Sequence, residues 1–211
     1  MNNLQGNDRR KKNFFESERL LLRPLKLSDA WNVYINIRDP EVSRFNIAPP
    51  SRYFNNKASN IIRRFFQLFF KAISVICQKL HLPIFKRYVK LGIVLKDTGK
   101  VIGIITLSHI DRQKKSAEIG IWIGKNYWGR GIMLEAEFLM IRWAFSFLNM
   151  HKIYAVAHGE NIASIITMRK LGFEISQITT YGEDVFGKKI DIVNIELSRD
   201  KFKNNLIKAG E

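Results

Sequence analysis

The apolar positions of this chain repeat with two different periods, and the switch between them marks its centre. Ala117, Ile119, Ile121 and Ile123 alternate with Glu118, Gly120, Trp122 and Gly124, the period of a strand. Beyond it the spacing is helical. Ala136, Leu139, Met140, Trp143, Ala144 and Phe147 share one face, and Glu135, Arg142, Ser146 and Asn149 share another. Between the two runs lies Asn126-Tyr127-Trp128-Gly129-Arg130-Gly131-Ile132-Met133, so the pattern predicts strand, glycine-punctuated loop, helix. Upstream, Glu18–Leu25 reads as a first strand closed by Pro24. A helix is expected near Ser28–Arg38, with Ser28 or Asp29 as its cap. Tyr88–Lys96 and Val101–Ile110 flank Asp97-Thr98-Gly99-Lys100 as a hairpin, and Asp111–Ser116 is a second polar turn. Lys152–His158 is a further strand, and Lys188–Leu197 alternates as the last one. Residues 199–211 are expected to trail off as a charged tail, and residues 1–17 to form a mobile basic one.

Lys57–Leu80 breaks the pattern. Ile62, Phe66, Phe69, Phe70, Ile73, Ile76 and Leu80 form a helical face opposite Arg64, Gln67, Lys71, Ser74 and Gln78, and Phe65, Leu68, Ala72 and Val75 widen its apolar arc. The apolar run is short of the roughly 20 residues that a membrane span needs. Burial against a sheet, a partner or dimer surface, and a basic helix on a membrane interface all remain open.

Composition narrows the class. At 211 residues and 46% hydrophobic content the chain supports one substantial core, residues 18–198, and is not generally disordered. The single cysteine, Cys77, excludes an intramolecular disulfide and suits a reducing cytosol. Met1–Lys12 lacks the apolar stretch of a secretory signal. A formal net charge of +16 draws anionic partners, such as a phosphorylated cofactor, RNA or a ribosomal surface. It works against polycations, and much of it also suits a solvated surface with no partner.

The loop carries the first chemistry. Gly129 and Gly131 permit backbone angles closed to other residues, and the unpaired N–H groups of a helix start suit a phosphate. Arg130 adds a cation. A plain structural turn explains two glycines equally well, so the continuation decides: after Lys152–His158 comes Glu160-Asn161-Ile162-Ala163-Ser164, then Met168-Arg169-Lys170-Leu171-Gly172-Phe173. With these two motifs in this order, the sequence resembles the GNAT superfamily of acetyl-CoA-dependent N-acetyltransferases over roughly Glu18–Leu197, most closely the branch that acetylates ribosomal-protein N-termini.

The resemblance implies an α/β domain with a mixed, mostly antiparallel sheet flanked by helices, enlarged near 57–80. It implies that Asn126, Trp128, Gly129, Arg130, Gly131, Ile132 and Met133 cradle the pyrophosphate of acetyl-CoA, although Asn126 stands where the family usually has Gln or Arg. Asn161, Ser164 and Met168 fall on the helix beside the pantetheine arm. A backbone N–H at a bulge within Ile121, Trp122 and Ile123 stabilises the thioester oxygen. The family's usual tyrosine acid is here Met168, which cannot donate a proton. The branch's serine acid corresponds to Ser164, and its glutamate base, nineteen residues on, to Glu183. Asn161 also reads as a simple cap with Ser164 in the first turn, Glu183 as a solvated carboxylate in a loop, and Glu118 as an alternative base on the central strand. His109, His151 and His158 lack metal-ligand spacing with acidic partners, so no metal is expected. The reading is transfer of acetyl to a primary amine by direct attack in a ternary complex, most readily a protein N-terminus, whose amine is about a tenth neutral at pH 7. A small amine or antibiotic as acceptor, and a CoA-binding or RNA-associated protein without turnover, are the alternatives.

Overall fold

In the computed structural model, residues 15–45, 88–183 and 189–208 are described. The readings of Asn46–Ser51 and Lys57–Leu80 and most of the basic N-terminal stretch fall outside them. Seven strands form one sheet: β1 (Leu20–Arg23), β2 (Val89–Leu95), β3 (Val101–Asp111), β4 (Ser116–Ile123), β5 (Lys152–His158), β6 (Glu174–Glu183) and β7 (Lys189–Ser198). Their spatial order is β1-β2-β3-β4-β5-β7-β6. Every neighbouring pair is antiparallel except β4 and β5. The mixed, mostly antiparallel sheet expected from sequence is therefore present.

Five helices flank it among the described residues: α1 (Ala30–Ile37), α2 (Pro40–Ser43), α3 (Ile132–Ser146), α4 (Ile162–Lys170) and α5 (Arg199–Lys208). The alternation of β4 puts Ala117, Ile119 and Ile123 into the core, where Ala136, Leu139 and Met140 of α3 meet them. α1 lies on β3 and reaches the end of β4, where a Cβ at Gly124 would stand 1.9 Å from Asn36 Oδ1. Asp29 precedes α1, but its carboxylate does not cap it. It accepts from the Lys26 N–H at 2.6 Å and from both Nη atoms of Arg23 at 2.7 and 2.9 Å. Burial alone would raise the Asp29 carboxyl; the guanidinium and the amide outweigh it and hold the group below its ordinary value.

Both ends of the domain extend further than the sequence suggested. Residues 199–208 are a helix, not a tail. Phe202 is 4% exposed and packs between Phe138 and Phe145 of α3, with ring centroids 5.6 and 5.5 Å away. Two apolar residues four apart, Phe202 and Leu206, suffice to seat α5, too few to stand out among its lysines and asparagines. At the other end Phe15–Ser17 join the folded domain, and Phe15 packs, partly buried, against its core. The Phe15 carbonyl accepts the Leu22 N–H at 2.8 Å, and the Phe15 ring lies 5.1 Å from Trp143.

α3 carries one residue that opposes the fold. Glu137 is fully buried and neither of its carboxylate oxygens has a hydrogen-bond partner. Burial pushes its pKa up to about 8, so at neutral pH it sits in the core as an uncharged acid. Below the unfolded-state pKa of about 4.3 the group is neutral in both states and has no effect on stability. Above that value only the unfolded chain ionises, so stability falls as pH rises until the folded group ionises too near pH 8. The full effect is roughly 3–5 kcal/mol at about 1.4 kcal/mol per pH unit. Denaturant titrations of Glu137→Leu should therefore show greater stability at pH 7.5, and a loss of most of the decline between pH 5 and 8. An unchanged slope would mean that this carboxyl is not the group responsible.

Candidate functional site

The parallel ladder between β4 and β5 is three rungs long: Ser116 with Lys152, Ala117 with Ile153, Glu118 with Tyr154. After Glu118 the two strands part, while β3 still holds β4 as far as Ile123 and β7 holds β5 as far as His158. The Gly124 N–H donates to the Ile102 carbonyl at 2.8 Å, so the alternation of an antiparallel ladder turns the amides of Ile121 and Ile123 away from β3, toward the gap. The carbonyl of Ile123, on that same edge, accepts the indole N–H of Trp128 at 2.8 Å. Sequence placed a bulge within Ile121–Ile123. The β3–β4 register runs regularly through those residues, and its irregularity lies on β3 between Ser108 and Asp111. Open amides arise here from parted strands rather than from a bulge.

The glycine loop closes the upper end of this gap. Gly129 and Gly131 take φ of +73° and +72°, left-handed values that other residues rarely adopt. Gly131 is the N-cap of α3 and supplies no side-chain cap, which leaves first-turn amides for a ligand. A Cβ on Gly129 would meet nothing within 4 Å, so space lies open over the loop. Uncapped amides, open space and the Arg130 cation fit a pyrophosphate. Trp128 is 40% exposed, and its indole bond ties the loop to the end of β4.

Arg19 is the contributor that sequence reading missed. It stands just before β1, yet its Nη1 donates to the Arg130 carbonyl at 3.1 Å and its Nε to Glu135 Oε2 at 2.8 Å. Ser17 Oγ holds the other oxygen of Glu135. Arg19 and Glu135 therefore fix the loop against the first strand; no local periodicity could have paired them across more than a hundred residues.

The other expected residues divide. Asn161 is the N-cap of α4, and its Oδ1 accepts the Ser164 N–H at 3.3 Å. Ser164 is half-buried in the first turn, whereas Met168 packs in the core at 4% exposure. His158 ends β5, buried, with its Nδ1 accepting the Glu160 N–H at 3.2 Å and Phe45 edge-on to its ring. Glu183 lies at the end of β6 opposite Lys189, in a strand and not in the loop expected. Glu118 occupies the last joined rung, its Oε2 2.9 Å from His109 Nδ1. Its charge, after burial and together with Asp111, raises the pKa of the Tyr154 phenol beside it. The two glutamates do not share a location. Tyr154, beside Glu118, pairs with Glu196, and Glu183 pairs with Lys189, seven residues along β7 or roughly 23 Å. No cluster of three potential metal ligands occurs among the described residues.

An anion cradle at a helix start opens onto the amide edge of a strand that has lost its neighbour, an arrangement that suits an acyl-CoA-dependent transferase. The chain belongs to the GNAT acetyltransferases: residues 19–174 match the acetyltransferase (GNAT) domain. It is 29% identical over 187 residues to the "Uncharacterized N-acetyltransferase p20" of Bacillus licheniformis, covering 88% of this chain and 96% of that one. Among the solved structures that share its fold are two acetyltransferases with named substrates. The spermidine N-acetyltransferase from Vibrio cholerae, in complex with CoA and spermine, has a TM-score of 0.71 at 17% identity, covering 89% of this chain and all of that one. The ribosomal-protein-S5-alanine acetyltransferase from Vibrio fischeri has 0.70 at 21%, covering 89% and 97%. The protein is an acetyl-CoA-dependent N-acetyltransferase of GNAT type. No helix among the described residues is long and apolar enough to cross a membrane.

If the cradle is made of backbone, bulk in the loop should matter more than charge. Gly131→Val should abolish the rise in melting temperature on adding CoA, because a β-branched residue is strained at that φ. Arg130→Ala should only reduce the rise. An unaltered shift in a folded Gly131→Val protein would place the cofactor elsewhere.

Proposed function

We propose that the protein acetylates a primary amine by direct attack, with a protein N-terminal α-amine as acceptor and Glu118 as the base. One observation carries this: Glu118 is the carboxylate where β4 and β5 part, on the strand whose open amides begin three residues further on. Bound acetyl-CoA supplies the activated acetyl group. The amides of Ile121 and Ile123 hold charge developing on the acyl oxygen. Glu118 takes a proton from the amine. Ser164, at the start of α4, hydrogen-bonds the departing sulfur. In the exchange a C–N bond forms and a C–S bond breaks. The ammonium sheds two protons, one leaving with the thiol and one passing through Glu118 to solvent. An α-amine near pKa 7.7–8.0 asks less of a single carboxylate than an alkyl amine near 10.4. The net charge of +16 favours an acceptor on an anionic surface, such as RNA-bound protein, over a free polycation. Glu183 is the second candidate for the base, supported by sequence resemblance.

Thiol release and product mass should be followed with N-terminal peptides and with spermidine, both with acetyl-CoA. The expected outcome is peptide acetylation, with Glu118→Gln lowering turnover by about 10²–10⁴-fold at pH 7. Ser164→Ala should lower it less, since a thiolate leaves readily. Raising the pH should partly restore Glu118→Gln, because the amine then deprotonates unaided. Preferential spermidine acetylation would replace the acceptor, a dead Glu183→Gln beside an active Glu118→Gln would move the base, and no thiol release with either amine would favour a binding protein.

A further inference from the structure

The irregularity in β3 serves the residue beside it. Ser108 pairs with Glu118 and Asp111 with Ser116, so His109 and Ile110 together oppose Ala117: a bulge. In a regular strand the side chain at 109 would point to the face opposite Ser108 and Glu118. The bulge turns it back, and His109 Nδ1 comes within 2.9 Å of Glu118 Oε2. The turn requires φ of +49° at His109, the left-handed region where glycine is most at ease. A side chain is retained at a position that favours having none. That side chain touches Glu118, a carboxylate on the last rung that joins the two half-sheets.

We propose that His109 is a positioning residue for Glu118, its Nδ1–H holding one carboxylate oxygen so that the other faces the acceptor amine. The inference rests on Glu118 being the base. An imidazole N–H that donates to one carboxylate oxygen holds the side chain in one orientation, which a base needs to meet its substrate. The imidazole lies largely in solvent and Glu118 is about three-quarters covered, so the contact orients a half-buried acid from outside. Charged and titratable groups surround the pair. Asp111 ends β3, and the β3–β4 turn carries Arg112, Lys114 and Lys115; β5 carries Lys152 and Tyr154; Tyr88 precedes β2, which carries Lys90.

Two substitutions separate backbone from side chain. His109→Gly suits the left-handed backbone and removes the donor. His109→Asn tolerates the same backbone and places an amide N–H the same number of bonds from Cα as Nδ1. With folding checked by melting temperature, His109→Gly should lower kcat about three- to tenfold and leave the KM for acetyl-CoA unchanged. Carboxyl NMR on the free protein at one fixed pH should show the Glu118 resonance displaced in His109→Gly, and near the parent position in His109→Asn. The asparagine variant should also recover most of the turnover. A glycine variant with parental kcat and an unmoved Glu118 resonance overturns the positioning role while Glu118→Gln, if inactive, keeps the base. If Glu118→Gln turns over normally, the base assignment fails, and the Glu118 resonance alone then decides whether His109 acts on this carboxylate.

Discussion

The site depends on a hydrogen-bond ladder that stops. β4 and β5 share three rungs and then separate, although each keeps its other neighbour. Backbone amides turned toward such a gap are costly to leave unsatisfied in a dry interior and favourable to satisfy with a ligand. The remaining parts of the site follow from the parting. The loop after β4 has to turn over its open end, so it needs left-handed glycines; α3 begins there, so its first amides face the same space. Arg19 and Glu135 anchor that turn to β1. The bulge on β3 brings a histidine to the closed end.

Much of this was legible in the sequence because it rests on period. The strand-to-helix switch around Gly129-Arg130-Gly131 places β4 and α3 within a few residues, and the polar Asp97–Lys100 places the hairpin. What was hidden depends on tertiary pairing. α5 has a single fully buried side chain, Phe202, so its burial shows no pattern in sequence. Asp29 looks like a cap, but Arg23 claims its carboxylate. The open amides belong to a strand separation that involves residues more than thirty positions apart, which a bulge expected within Ile121–Ile123 does not describe. His109 was weighed only as a metal ligand, because the register shift that turns it toward Glu118 has no local signature.

The two candidate bases illustrate the limit of motif spacing. Counting from Ser164 leads to Glu183, and the count is consistent with the resemblance. The sheet register nonetheless sets that residue many rungs from the seam, on the outermost strand. Spacing along the chain fixes a position in a motif; only the register says which end of a strand it occupies.

Glu137 has a consequence for how this sequence can change over time. Domains of this size hold stability margins of order 5–15 kcal/mol. A core that carries an unpartnered acid spends part of that margin at a position away from the described glycine loop and strand seam. Replacing it with an aliphatic residue would widen the tolerance for strained or polar substitutions elsewhere, such as new residues around the acceptor. Position 137 therefore helps set how many changes of specificity the fold can absorb before it ceases to be native.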